Sequence, residues 1–380
     1  MPQSLYVHVP FCEQICHYCD FNKFFLKNQP IEEYLELCER EILQTVKAFP
    51  PEKELSTIYI GGGTPTALTT TQLSHLLTAI KRHFPINEKV EWTVEVNPGS
   101  ADEEKLSMMH ELGVNRLSIG AQTFDPHLLK AINRDHEPSE VAKTVALSKK
   151  VGITNLSIDM MFGLPSQSFD QWQESLEEVC RLPITHISAY SLKIEEKTVF
   201  YQLMRKGKLS LPGEEIQANM YEYMLDMLDR NGFNHYEISN FAKSSYYSNH
   251  NLTYWNNHEY YGIGAGAHSY VKGVRRANHG PLPKYMKAIK EKQLPYFEEN
   301  HVSLKEQMEE QMFMGLRKLT GVSFDTFKGR FGKDLYEVFP EAVTDLINRG
   351  LLMDTKTHLK LSKDGLLLGN EVFEQFLLTD

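Results

Sequence analysis

The sequence predicts an α/β fold: a partial TIM-type (β/α)6 barrel, followed by a smaller, mainly helical domain of winged-helix type. Three observations carry this reading. Short apolar runs alternate with stretches of helical periodicity through the first two thirds of the chain, which calls for parallel strands with helices outside. Six such strand–helix units can be counted, which suits a barrel-like sheet. From about Val302 onward the pattern changes, with helical stretches first and a hairpin later. The expected division is residues 1–232 for the barrel, 233–301 for a connecting region packed on it, and 302–380 for the C-terminal domain.

The strands are expected at Leu5 to Pro10, Thr57 to Ile60, Glu91 to Val96, Arg116 to Gly120, Asn155 to Met161 and His186 to Ser191. Helical periodicity covers Ile31 to Lys47, Thr70 to His83, Asp102 to Leu112, Ser139 to Val151 and Phe169 to Arg181. In folds of this kind the chemistry sits where the strands end and the βα loops gather. Phe233 to Asn278 reads as a polar, turn-rich loop region, long for a passive linker. In the last block, helices are expected over Lys305 to Lys318, Ser323 to Phe331 and Leu335 to Arg349, then a hairpin over Leu351 to Leu361 and a final helix.

The 380 residues carry a formal charge of −10, with 41% apolar and 24% charged side chains. That composition is ordinary for a soluble globular protein and argues against sequence-independent nucleic-acid binding, which needs many cations facing phosphates. From Leu304 onward, 10 Lys and Arg stand against 13 Asp and Glu, so the winged-helix-like block has no basic stripe for DNA. No apolar run approaches the ~20 residues of a transmembrane helix, and the N-terminus has no basic-then-apolar signal pattern. The expected location is cytoplasmic, with peripheral membrane contact left open. There, five cysteines serve as ligands or core residues and not as a disulfide framework.

Cys12, Cys16 and Cys19 lie within eight residues, in the loop after the first strand. Three thiolates at this spacing suit a soft metal centre. Zinc is the competing reading, but structural zinc wants four ligands in paired spacings and no second pair exists; His17 completes a zinc site only through an awkward loop. Cys38 and Cys180 sit in helical, partly apolar surroundings and read as ordinary buried thiols. The spacing C-x3-C-x2-C closely resembles the signature of the radical S-adenosylmethionine (SAM) superfamily. The resemblance implies a [4Fe-4S] cluster whose fourth iron, lacking a protein ligand, takes SAM.

Further residues fall where a SAM site needs them. Gly61-Gly62-Gly63-Thr64-Pro65 follows the second strand, and glycines there let backbone N–H groups approach a ligand. Glu95 ends the third strand, where a carboxylate needs a partner such as an ammonium or a ribose hydroxyl. Gln122, Arg134 and Asp159 follow at successive strand ends. Each alone also fits a structural hydrogen bond or salt bridge; together they converge on one mouth.

Tyr6-Val7-His8-Val9-Pro10-Phe11-Cys12, the Gly61 loop, Ile119-Gly120-Ala121-Gln122-Thr123 and Asp159 to Pro165 resemble the oxygen-independent coproporphyrinogen III oxidase family, over nearly the whole chain. That resemblance implies SAM contacts from Tyr6, Tyr18, Gly62, Gly63, Thr64, Glu95, Gln122, Arg134 and Asp159, and leaves open whether a second SAM binds. Three departures matter. The oxidase carries a fourth cysteine two places beyond the triad, where this chain has Phe21. It also has a substantial segment ahead of the cluster, whereas 11 residues precede Cys12 here. Finally, His250-Asn251-Leu252-Thr253-Tyr254-Trp255 fits the H-N-x-x-Y-W pattern of the HemW branch, which resembles haem chaperones and not oxidases.

By that resemblance His250, Asn251, Tyr254 and Trp255 bind haem. Imidazole is a standard haem ligand and the aromatic rings offer stacking faces; Arg275 and Arg276 are added as partners for propionates. The competing reading is an aromatic-rich turn packed on the barrel, with His250 merely hydrogen-bonded. The expected function is therefore a haem chaperone that carries a [4Fe-4S] cluster, SAM and haem, draws on an electron donor, and passes haem to an acceptor haemoprotein. On this reading it lacks oxidase activity and has no catalytic residue to name. The alternatives are oxidative decarboxylation of coproporphyrinogen III, and radical SAM chemistry on another tetrapyrrole.

Overall fold

The computed structural model describes residues 1–378. Six strand–helix units come first: β1 (Ser4–Val9), α1 (Ile31–Ala48), β2 (Leu55–Gly62), α2 (Thr70–His83), β3 (Ile86–Val96), α3 (Glu103–Glu111), β4 (Arg116–Gln122), α4 (Pro138–Lys150), β5 (Asn155–Phe162), α5 (Phe169–Arg181), β6 (His186–Ser191) and α6 (Glu214–Arg230). The strands pair in parallel in that order, as expected of right-handed βαβ units. Local signals start the helices: capping boxes Thr69/Gln72 and Ser168/Gln171 open α2 and α5, and Pro138 opens α4.

Along each strand, residues two apart share a face. One set is apolar and fully buried under the helices: Leu5, Val7 and Val9, then Ile58 and Ile60, Trp92 and Val94, Leu117 and Ile119, Leu156 and Ile158. The other set faces the barrel interior and is polar: Tyr59, Glu95, Ser118, Asp159 and Ser188. Parallel strands covered on both faces are ordinarily apolar throughout, so a polar inner face marks an interior built to hold something other than side-chain hydrocarbon.

The region expected as a long loop is more ordered than its composition suggests. It forms β7 (Asn234–Glu237), β8 (Asn240–Ala242), α7 (Asn249–Trp255), β9 (Tyr261–Ile263), β10 (His268–Val271) and β11 (Val274–Asn278). β9 joins the sheet parallel to β1, and the β8–β7 hairpin extends the other edge antiparallel to β6. Among the described residues the sheet therefore has nine strands, ordered β9-β1-β2-β3-β4-β5-β6-β8-β7, and its ends do not pair, leaving an open barrel. Strands of three to five residues rich in Asn, Gly and Tyr are too short for a period of two to be read. β10 and β11 form a separate antiparallel sheet with β12 (Tyr296–His301).

The C-terminal block has the expected winged-helix order: α8 (Leu304–Gly315), β13 (Val322–Ser323), α9 (Phe324–Phe331), α10 (Pro340–Asn348), β14 (Leu352–Asp354) and β15 (His358–Leu361). The helix expected over Leu335 to Arg349 is interrupted at Phe339, because Pro340 has no N–H to donate backwards and opens a new helix instead. Met312, Phe327, Phe339, Val343 and Phe376 give this block its own core. No helix among the described residues is long and apolar enough to cross a membrane.

Candidate cluster and cofactor site

The ends of β2 to β6 and the loop after β1 enclose a cavity of about 420 Å³. Cys12, Cys16 and Cys19 all line it, as do Tyr18, Gly62, Gly63, Thr64, Glu95, Gln122, Arg134 and Asp159. The loop is held by bonds from Asn133 and by one within itself. Asn133 donates to the Ile15 carbonyl (2.8 Å), Gln14 to Asn133 (3.0 Å), and the backbone N–H of Cys19 to the Cys16 carbonyl (3.2 Å). His17 turns away toward the Ala131 carbonyl (3.2 Å) and the Phe200 ring, so it does not complete a zinc site. Among the described residues no three His, Cys, Asp or Glu side chains converge on one ion. Three thiols spread along one loop, with His17 turned away from them, fit a multi-iron group better than a single cation. Burial pushes the Cys12 thiol up to about 11, against a lowering hydrogen bond from Thr64 (3.7 Å), and raises Cys19 as well. A bound metal reverses this, because a coordinated thiol is deprotonated outright. Cys38 and Cys180 lie outside the cavity; Cys38 is packed in the core against the Tyr285 hydroxyl (3.4 Å).

The remaining wall is a set of interlocked polar contacts. Tyr59 donates to one Glu95 oxygen (2.8 Å) and the Gly62 N–H to the other (3.0 Å); burial still raises Glu95 to about 7. Gly62 has φ +114°, and a Cβ there would meet the His8 ring at 2.5 Å, so glycine is required. Arg134 donates to Asn97 (2.8 Å) and to the Gly120 carbonyl (2.7 Å), while its Nε has no partner. Gln122 holds a left-handed backbone (φ 65°) at a bulge ending β4, a local strain of the kind that collects at functional sites. Asp159 accepts from Ser118 with both oxygens (3.0 Å each), and burial raises its pKa.

Tyr59, Asn97, Arg116, Ser118, Ser188 and Tyr190 also line the cavity, and sequence reasoning missed them. Strand parity is the signal that finds them: Arg116 and Ser118 precede Gln122 by even steps, and Tyr59 faces Glu95. Arg116 is almost fully buried, and its Nε lacks a partner.

The haem-motif residues are placed differently. α7 enters the barrel from the end where the strands begin. Glu91 caps it by accepting from the N–H groups of Asn249 (3.0 Å) and His250 (2.9 Å), and Thr253 bonds Ser4 (2.9 Å). His250 is 1% exposed; its Nδ1 bonds Thr57 (2.9 Å) and its Nε2 the Tyr254 hydroxyl (2.8 Å). Burial pushes it down to about 3. Both nitrogens of His250 are thus engaged in the barrel floor, and the ring would have to release Thr57 or Tyr254 to meet a haem iron. Trp255 faces the C-terminal block, under the Arg317 guanidinium (4.7 Å). Asn251 reaches the main cavity from below. Tyr254 and Tyr6 line a neighbouring cavity, which shares Phe21, Gly62 and Glu95 with the main one. Arg275 is taken by Glu310 and Arg276 by Glu299, so neither is free for a propionate.

A barrel whose strand ends gather a C-x3-C-x2-C loop, a glycine turn and buried carboxylates defines a radical SAM protein. Residues 6–179 match the radical SAM superfamily and residues 302–368 the HemN C-terminal domain. Haem chaperone HemW of Bacillus subtilis is 46% identical over 376 residues, covering 99% of each chain. Haem chaperone HemW of Lactococcus lactis is 44% identical over 380 residues, covering all of this chain and 98% of that one. This chain belongs to the HemW family of radical SAM proteins. Its fold is that of coproporphyrinogen III oxidase HemN from Escherichia coli, with a TM-score of 0.87 at 22% identity over 99% of this chain and 90% of that one.

Proposed function

We propose that the protein is a haem chaperone: it binds haem and hands it to an acceptor haemoprotein, with a [4Fe-4S] cluster and SAM held in the main cavity. The observation that carries this reading is the full-length similarity to two proteins named haem chaperones, 46% and 44% identical. We assign residues 1–232 to the cluster and SAM, 233–301 to haem, and 302–380 to a packing or docking role, in a cytoplasmic protein. Cys12, Cys16 and Cys19 are the cluster ligands. Bound there, the cluster supplies one-electron reducing power and an open iron. Gly62, Gly63 and Thr64 present backbone and hydroxyl groups, Glu95 offers a carboxylate for an ammonium, and Gln122, Arg134 and Asp159 form the opposite wall, with Tyr18 closing the side. Their partners hold these groups in place before any ligand arrives, which lowers the entropy cost of binding.

Phe21, at the place where the oxidase has cysteine, is 62% exposed and lines the same cavity. It cannot ligate a metal, and we read the chain as lacking oxidase activity. The test uses the anaerobically reconstituted chain. Ferric haem should bind at about one per chain with a shifted Soret band, and coproporphyrinogen III with SAM and reductant should yield no protoporphyrinogen. Clear turnover with no haem binding overturns the reading in favour of the oxidase.

A further inference from the structure

Where α5 and α6 meet the C-terminal block lies a groove of about 430 Å³. Phe169, which opens α5, lines it with Ile216 and Tyr223 of α6, and Lys363 lines it from the C-terminal block. Phe169 and Tyr223 meet edge to face (5.5 Å), and Ile216 is 44% exposed. None of the residues lining this groove lines the cofactor cavity.

The two helices that form it are strongly acidic. α5 carries four Asp and Glu against one Arg, and α6 five against one, a net −7 in which every acid is exposed. Helix electrostatics explain only part of this. Asp170, Glu214 and Glu215 lie in first turns, where the helix dipole favours a negative charge. The other six lie further along, and Glu174/Glu178 and Glu222/Asp226 are like-charged pairs four residues apart, which destabilise a helix. The cations at hand are already engaged: Arg181 pairs with Glu177 (3.0 Å), Arg230 with Asp226 (3.7 Å) and Lys363 with Glu222 (3.4 Å). With Lys363 added to the two helices, the face keeps a net −6.

An apolar floor inside an acidic rim calls for an occupant that is apolar on one side and cationic around it. A nucleic acid and an anionic membrane surface are both repelled. A second copy, set against the same face by a two-fold axis, would bring like charge against like. An amphipathic helix with aliphatic anchors and flanking Lys or Arg satisfies both floor and rim. α6 is also tied to the strand ends: Ser191, at the end of β6, donates to Gln217 (3.1 Å), one residue after Tyr190 of the cofactor-cavity wall.

We propose that this groove docks a cationic amphipathic helix of the acceptor haemoprotein. The inference rests on the haem-carrying reading above. A dye-labelled peptide with leucines at i, i+3, i+4 and i+7 and lysines elsewhere is titrated into the full reconstituted chain and followed by fluorescence anisotropy. A glutamate-for-lysine version and a scrambled version are run beside it. The lysine helix should bind, more weakly as salt rises, and the other two should bind far less well. Ile216→Ala should weaken binding by about tenfold, the scale of truncating an interface anchor, and Glu222→Lys with Asp226→Lys should weaken it further. Both variants should take up cluster, SAM and haem as the parent does. Equal binding of the scrambled peptide, or parental affinity in Ile216→Ala, overturns the docking groove while the chaperone reading stands. A parent that sediments as a dimer and turns monomeric in Ile216→Ala assigns the face to a second copy and overturns it too. If the parent binds no haem, the chaperone reading falls and the acceptor assignment falls with it.

Discussion

The cluster loop and helix α7 carry the chain's two most specific motifs, yet the fold treats them in opposite ways. Cys12, Cys16 and Cys19 sit on an irregular loop at the strand ends, and all three open onto a cavity. His250, Thr253 and Trp255 sit on a regular helix inserted among the strand beginnings, tied by Glu91, Ser4 and Thr57. A loop at the strand ends leaves its side chains available, whereas a helix pushed into a barrel pairs most of the polar side chains it buries. One motif is therefore presented to a cavity, and the other is tied into the barrel floor.

The largest effect expected from this contrast is at the open site. Cys16→Ala should remove the iron–sulfur absorbance of the reconstituted chain, while Cys38→Ala, in the core, should keep it; equal loss in both would mean the triad is not the ligand set. Next comes the closed site. His250→Ala leaves Thr57 and Tyr254 without partners and opens a cavity, which should cost about 2–4 kcal/mol in urea denaturation. A variant that keeps full stability would mean that these two hydrogen bonds do not hold α7 in the barrel.

The smallest effect lies away from both. Glu41 is buried beneath Gly264, Asn278 and Tyr285, and burial raises it to about 7. A carboxyl raised above its unfolded value of about 4.5 favours the folded state fully below that pH and loses its contribution as pH rises through 7. Glu95 and Glu237 are also raised to about 7. Buried histidines such as His136 and His250, lowered from 6.5, work in the opposite direction, so the difference isolates Glu41: the parent's stability should fall relative to that of Glu41→Gln between about pH 5 and 8. An unchanged slope would place the titration at the other two.

The six strand–helix units, the winged-helix order and the cysteine loop were all legible in the sequence, because each rests on local periodicity or local spacing. So were Gly62, Gly63, Thr64, Glu95, Gln122, Arg134 and Asp159 as residues of one mouth, since strand ends in a parallel barrel must converge. What the sequence left open depends on contacts between distant segments. The short strands β7 to β9 exist because the edges of β1 and β6 offer hydrogen-bond partners, not because their own residues favour extension. How an imidazole is engaged is likewise decided by what faces its nitrogens. His250 meets Thr57, 193 residues earlier in the chain, and no local pattern shows it.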